Sequence, residues 1–244
     1  MLPPTEWLLA AALPGIYLFD SVHFLAVGEA VVATRQASLT GLCFGSSFEL
    51  GGRRPYLPNP LTPWQPELRV DWTASSRGAS PEQAAAEMTE RLHAVQPIAR
   101  LASVCAALVA VAAPLALLAG YQGVFAISLL LCFLCAAAGC ALVIARRESL
   151  GLSLRQAVST SIVALICLPC SGNLGRAVAI QRRWSMRACD LLDLGFAGTG
   201  RAVSEARLRE LLTRAQRLCP EDSAEYQSVT AQLRQLEATT DEHH

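Results

Sequence analysis

Residues 101 to 145 contain no Asp, Glu, Lys, Arg or His, and the run is closed at both ends by arginine, Arg100 and Arg146. At about 1.5 Å of rise per residue, a hydrocarbon core of about 30 Å takes roughly 20 apolar residues, so the run suffices for two crossings and a tight turn. Gly120, Tyr121, Gln122 and Gly123 are the turn-forming residues in its middle. A charge-free pair of helices is costly to leave in water, and the rest of the chain is organised around this hairpin. Within it Ala102, Ala106 and Ala110 recur every fourth residue, as do Ala136 and Cys140. Small residues at that spacing let helix backbones approach closely, which drives association in lipid.

Composition points the same way. The 244 residues are 52% hydrophobic and 16% charged, against about 25% charged for an ordinary soluble domain. Formal net charge is zero, so nothing global draws the chain to nucleic acid. Six of the nine cysteines, Cys105, Cys132, Cys135, Cys140, Cys167 and Cys170, fall in apolar stretches, where Cys acts as a small hydrophobe. They carry no evidence for an oxidising compartment.

The N-terminal part, residues 1–28, reads as a transmembrane anchor spanning 7–28. No basic residue precedes it, so the charged leader of a cleavable signal is missing. Asp20 and His23 then lie at i and i+3 on one helix face near its end. Residues 29–79 form a β-rich and Pro-rich region. The β-branched run from Glu29 to Arg35 and the alternation from Leu39 to Leu50 predict half-buried strands, and Gly51-Gly52 predicts a hairpin turn. Beyond it five prolines in twelve residues, Pro55 to Pro66, exclude helix and central strand. With Tyr56, Trp64 and Trp72 this stretch is expected to wrap the sheet or lie at the membrane interface. Residues 80–100 are a helix begun by Ser80-Pro81-Glu82-Gln83, running to about Val95 and broken at Pro97.

After the hairpin, 146–187 is a basic loop followed by a weaker apolar segment. Its heart stops at Pro169, and Gly172, Asn173, Gly175 and Arg176 follow. A central Arg costs about 2.5 to 3.5 kcal/mol on insertion scales, more than the few strong hydrophobes before it return. A broken, re-entrant segment is therefore favoured over a fourth crossing. Residues 188–244 read as a helical hairpin: Leu208, Leu211, Leu212 and Ala215 share one face, Cys219-Pro220 ends that helix, and Tyr226, Val229, Leu233 and Leu236 share the face of the next. Arg91 and Arg100 before the hairpin and Arg146, Arg147 and Arg155 after it place both flanks in the cytoplasm and the turn outside.

Little of the chemistry-bearing vocabulary is present. There is no nucleophile elbow, HExxH, phosphate loop or carboxylate cluster, and a metal site at Cys132/Cys135 lacks further ligands. No cofactor is implied. Candidate functional polar residues are Asp20, His23, Asn173 and Arg176: the last two lie one turn apart after Pro169, and if buried they need carbonyl, carboxylate or phosphate partners, Asp20 among them. Cys167-Leu-Pro-Cys170 has the spacing of a thiol-disulfide exchange pair beside a cation, set against simple packing of a Cys-rich helix.

The expected fold is mainly α: a helical integral membrane protein with an N-terminal span, a hairpin, a broken fourth segment, a small antiparallel β insertion and a C-terminal helical hairpin. The expected location is the bacterial inner membrane, multi-pass, with the soluble parts cytoplasmic. The expected role is non-enzymatic, an accessory or assembly subunit whose partners are the lipid bilayer and a protein held by the C-terminal helices or the Pro/Trp-rich stretch. A transport subunit and a membrane thiol-disulfide relay are the alternatives.

Overall fold

The computed structural model describes residues 4–26, 28–35, 38–46, 48–71 and 81–185, with scattered positions between 206 and 234. The chain is mostly helical with a small antiparallel sheet, and it divides into a helical unit and a sheet-bearing unit.

The helical unit takes Met1–His23, Leu57–Pro66 and Arg91–Arg182. Its first element, α1 (Pro4–Asp20), is shorter than the expected span. The Ser21 hydroxyl and amide both donate to the Tyr17 carbonyl and close the helix, and His23–Ala26 is strand β1. Aromatic and β-branched residues after Ser21 favour extended backbone once strand partners exist. Asp20 and His23 therefore do not share a helix face.

Helix α2 (Pro81–Ala107) runs straight through Pro97, where the sequence predicted a break. The missing hydrogen bond is tolerated because Val95, Ile98 and Ala99 around it are fully buried and hold both turns in place. Leu108–Ala112 then form a π-helical turn in which the Ala113 amide reaches back to the Leu108 carbonyl. Pro114 has no N–H to continue the regular ladder, so the widening sits immediately before it. Helix α3 (Ala113–Leu118) completes this arm, Gly120 turns the chain at φ +77°, and α4 (Gln122–Ala145) returns. The runs Ala86–Leu118 and Gln122–Ala145 are long and apolar enough to cross a membrane, with mean hydropathies of 2.5 and 2.7 over their most apolar 18 residues.

Cys105, Val109, Cys132 and Ala136 form the centre of the hairpin, with Leu13, Leu108 and Leu165 packed on it. The fourth apolar stretch begins at a capping box, Ser153 accepting from the Gln156 amide and the Gln156 side chain accepting from the Ser153 amide. Helix α5 (Leu154–Ile166) stops at Cys167, a short α6 (Leu168–Ser171) follows, and α7 (Leu174–Gln181) doubles back so that Gln181 Nε2 donates to the Thr160 hydroxyl. Small residues set the spacing: a Cβ on Gly175 would lie 2.6 Å from Ala99 Cα, and one on Gly172 would lie 3.1 Å from Ala106 Cα.

In the sheet-bearing unit, β2 (Glu29–Arg35) pairs antiparallel with β3 (Ser38–Cys43) and with β5 (Leu68–Asp71), and β6 (Arg183–Ser185) adds in parallel to β5. The alternating run ends as a strand at Cys43. Gly51 and Gly52 both have positive φ, and Leu50 and Arg53 exchange backbone hydrogen bonds across them, as a two-residue turn requires. Strand β4 (Arg53–Tyr56) leaves that turn to pair with β1. Glu29 is 3% exposed; its carboxylate accepts from the Ala26 amide at 2.8 Å and meets Arg69 and, at 3.4 Å, Arg183.

In the C-terminal region residues 209–210, 212–213, 216–217, 226–227 and 229–234 are helical, Leu212 and Val229 are buried, and Gln216 Nε2 donates to Thr230 Oγ1 at 2.8 Å. The helix boundaries expected at Ser204, Cys219 and Glu221, the apolar positions Leu208, Leu211, Ala215 and Leu236, and the linker at 75–80 lie outside the described residues.

Candidate functional site

The last carbonyls of α1 need donors from outside the helix, and the Tyr17 carbonyl takes one from Asn173, at the far end of the chain, besides those from Ser21. Asn173 Nδ2 donates to the Tyr17 carbonyl and to Asp20 Oδ2, each at 3.0 Å, while its Oδ1, 3.0 Å from the Ser21 hydroxyl, shares that group's one proton with the Tyr17 carbonyl. Asn173 precedes α7 but does not cap it with its side chain; it caps α1. Asp20 and Asn173 are thus brought together, and His23 is carried away on β1.

Arg176 lies one turn further along α7 and is 1% exposed. Its Nη2 donates to the carbonyls of Asn59 and Thr62, at 2.6 and 2.9 Å, and the Tyr17 hydroxyl donates to the Pro60 carbonyl at 2.9 Å. A proline-rich turn has carbonyls but few amides to pair with them, and a guanidinium with several donors in a fixed fork suits that surplus. Leu57–Pro66 is therefore tied to α1 and α7 and does not wrap a sheet. Of the partners expected for this pair, Asp20 meets Asn173, and carbonyls meet Arg176.

A second buried arginine escaped the sequence reading. Arg91, which was counted among the flanking charges, is 2% exposed and donates to the Leu150 and Val178 carbonyls. The only sequence signal was its position on the Met88, Leu92 and Val95 side of the helix. Tyr17 and Ser21 were missed because nothing local marks them; their partners lie in the Pro-rich turn and at Asn173.

Cys167 and Cys170 form a disulfide at the break between α5 and α6, with Cα atoms 5.2 Å apart. Both are half-buried, whereas Cys105, Cys132 and Cys140 are buried thiols. Cys132 Sγ lies 3.6 Å from the Ser171 hydroxyl, just behind the pair. A cleft of about 190 Å³ opens beside Cys170, lined also by Asp20, Ser159, Thr160, Ala177 and Gln181. A larger apolar cleft, about 450 Å³, lies between Pro14, Tyr17, Pro60, Trp64, Ala106 and Ala110. Among the described residues no three His, Cys, Asp or Glu side chains cluster as a metal site would need.

Chemically, the hydrogen bonds of Asp20, Asn173 and Arg176 join three chain segments, with Arg176 Nε and Nη1 left without a partner among the described residues, and the Cys167–Cys170 disulfide lies beside this group. Comparison of the chain with known protein families, curated proteins and solved structures finds no match.

Proposed function

We propose that the chain is a multi-pass protein of the bacterial inner membrane that acts as an accessory or assembly subunit, through contacts with a partner protein. The observation that carries the membrane part is the surface of α4. Only 33% of its most apolar window is buried within the protein, and Ile127, Leu130, Phe133 and Leu134 are each between 45% and 59% exposed. Ile162, Val163 and Ile166 on α5 continue the same exposed apolar character. Contiguous apolar surface of that extent is uncommon on a protein that lives in water. The doubling back of α7 onto α5 favours a re-entrant segment, with Arg146, Arg147 and Arg155 on the cytoplasmic side and Tyr121 outside.

The assembly part rests on where the polar groups are used. A transport path needs ionisable side chains facing water or one another across a passage, but Asn173 and Arg176 are 2% and 1% exposed and engage backbone carbonyls. They support architecture. The test is purification of the tagged full chain from solubilised membranes: a protein co-purifying at fixed stoichiometry, and lost when residues 204–244 are removed, is the expected result. A full chain that purifies with nothing bound defeats this reading.

A further inference from the structure

We propose that Cys167 and Cys170 are a dithiol-disulfide exchange site, open to a substrate dithiol through the cleft beside Asp20. Three observations converge on the pair. It sits where the chain leaves helical geometry, Cys167 having φ −108° and ψ 87°, at the tip of the α5–α7 hairpin. Both sulfurs belong to half-buried residues, and Cys170 lines the 190 Å³ cleft with the Asp20 carboxylate and the Ser159 and Thr160 hydroxyls. The bond joins residues only three apart, and a disulfide constrains the unfolded chain less the shorter the loop it closes. As a staple it contributes little, since Asn173 and Arg176 already tie this break to α1 and to the Pro-rich turn.

The reaction balances without any further reagent. A substrate thiol in the cleft gives its proton to Asp20, and the thiolate attacks Cys170 Sγ. The Cys167–Cys170 bond breaks, Cys167 leaves as a thiolate, and the Asp20 proton returns to it. The second substrate thiol then attacks the substrate sulfur of the mixed disulfide, and Cys170 departs as a thiol. Two electrons and two protons pass to the protein, and the substrate leaves with a disulfide. The cleft admits a single thiol-bearing side chain, so the substrate is a dithiol on a small molecule or an extended peptide.

Cleavage after Arg155 and Arg176 releases residues 156–176, which hold Cys167 and Cys170 and no other cysteine, so differential alkylation and mass spectrometry of that peptide read the pair alone. The full chain in mild detergent is mixed with dithiothreitol in one arm and with a reduced Cys-x-x-Cys peptide in the other. Expected are loss of the bond within minutes in the native protein, one oxidised probe per chain, and at least tenfold slower exchange in Asp20→Asn. Cys167→Ser, given the disulfide-linked dimer of a single-cysteine form of that peptide, should hold a mixed disulfide on Cys170, since no second thiol is present to resolve it. Reaction with dithiothreitol alone restricts the substrate to small dithiols. A bond reduced only after denaturation, or a pair found as thiols that the oxidised peptide does not re-form, overturns the site; an unchanged rate in Asp20→Asn overturns the carboxylate's part.

Discussion

Gly175 has the least room of any described glycine, because an added Cβ would meet Ala99 Cα at 2.6 Å, and that neighbour is backbone that has nowhere to go. Gly175→Ala should lower the stability of the solubilised protein by about 1 to 3 kcal/mol, read as a drop in melting temperature. Gly123, with nothing within 4 Å of its added Cβ, is the matched control and should tolerate Ala unchanged. Asn173 carries three side-chain hydrogen bonds in a buried setting. Replacing it with Ala leaves the Asp20, Ser21 and Tyr17 groups short of a partner, at a cost of about 2 to 4 kcal/mol for groups of this kind. Arg176→Leu should instead loosen Leu57–Pro66 selectively. The expected reading is faster chymotryptic cleavage after Trp64 with the remaining sites unaffected, and equal cleavage in both proteins would mean that the Asn59 and Thr62 carbonyls do not hold the turn. Asn173 and Arg176 were legible as a polar pair worth attention, since they interrupt an apolar run one turn apart. Asp20 was named among their candidate partners and meets Asn173, but the carbonyls of residues 17, 59 and 62 were not foreseen individually, because they leave no mark on side-chain identity.

At the scale of elements, the start of α2 at Pro81 was readable because a cap is a local contract between neighbouring residues, whereas the capping box that starts α5 was not singled out. The box at Ser153 and Gln156 gives a direct check: Ser153→Ala should cost about 1 kcal/mol, and adding Gln156→Ala should cost little more, because each residue's contribution depends on the other. Ends and interruptions were read less well. Pro97 was expected to stop α2 and does not, because packing of Val95, Ile98 and Ala99 outweighs one missing hydrogen bond. Pro114 was given no weight, yet the π-helical turn stands directly before it. The N-terminal helix ends at Asp20 because the following residues find a strand partner in Arg53–Tyr56. The Gly51-Gly52 turn was predicted from two glycines and is present, but the strand after it pairs elsewhere, so turn chemistry fixed the bend and not the sheet.

For the whole molecule, the membrane reading makes its own demand. The full chain should sediment with membranes and resist extraction at alkaline pH. Tyr121→Cys should become labelled by an impermeant maleimide from the outer side, above the level of the native cysteines. Labelling only after the membrane is opened would reverse the orientation argued from the arginines. The two units are each assembled from distant parts of the chain, Leu57–Pro66 joining the helices and Arg183–Ser185 joining the sheet. Reading along the sequence cannot deliver that, since both segments are short and have no periodicity that names a partner.

What the amino-acid order by itself determined were the properties that depend on near neighbours: a charge-free run long enough for two helices, the glycine turns, the caps, and the small residues that permit close helix contact. Only the tertiary structure decided which segments those features meet. It set Asn173 against the end of α1, buried Arg91 and Arg176 among carbonyls and joined Cys167 to Cys170. The physical reason is that backbone groups and buried cations choose partners by position in space, and the side-chain sequence records positions only for residues a few places apart.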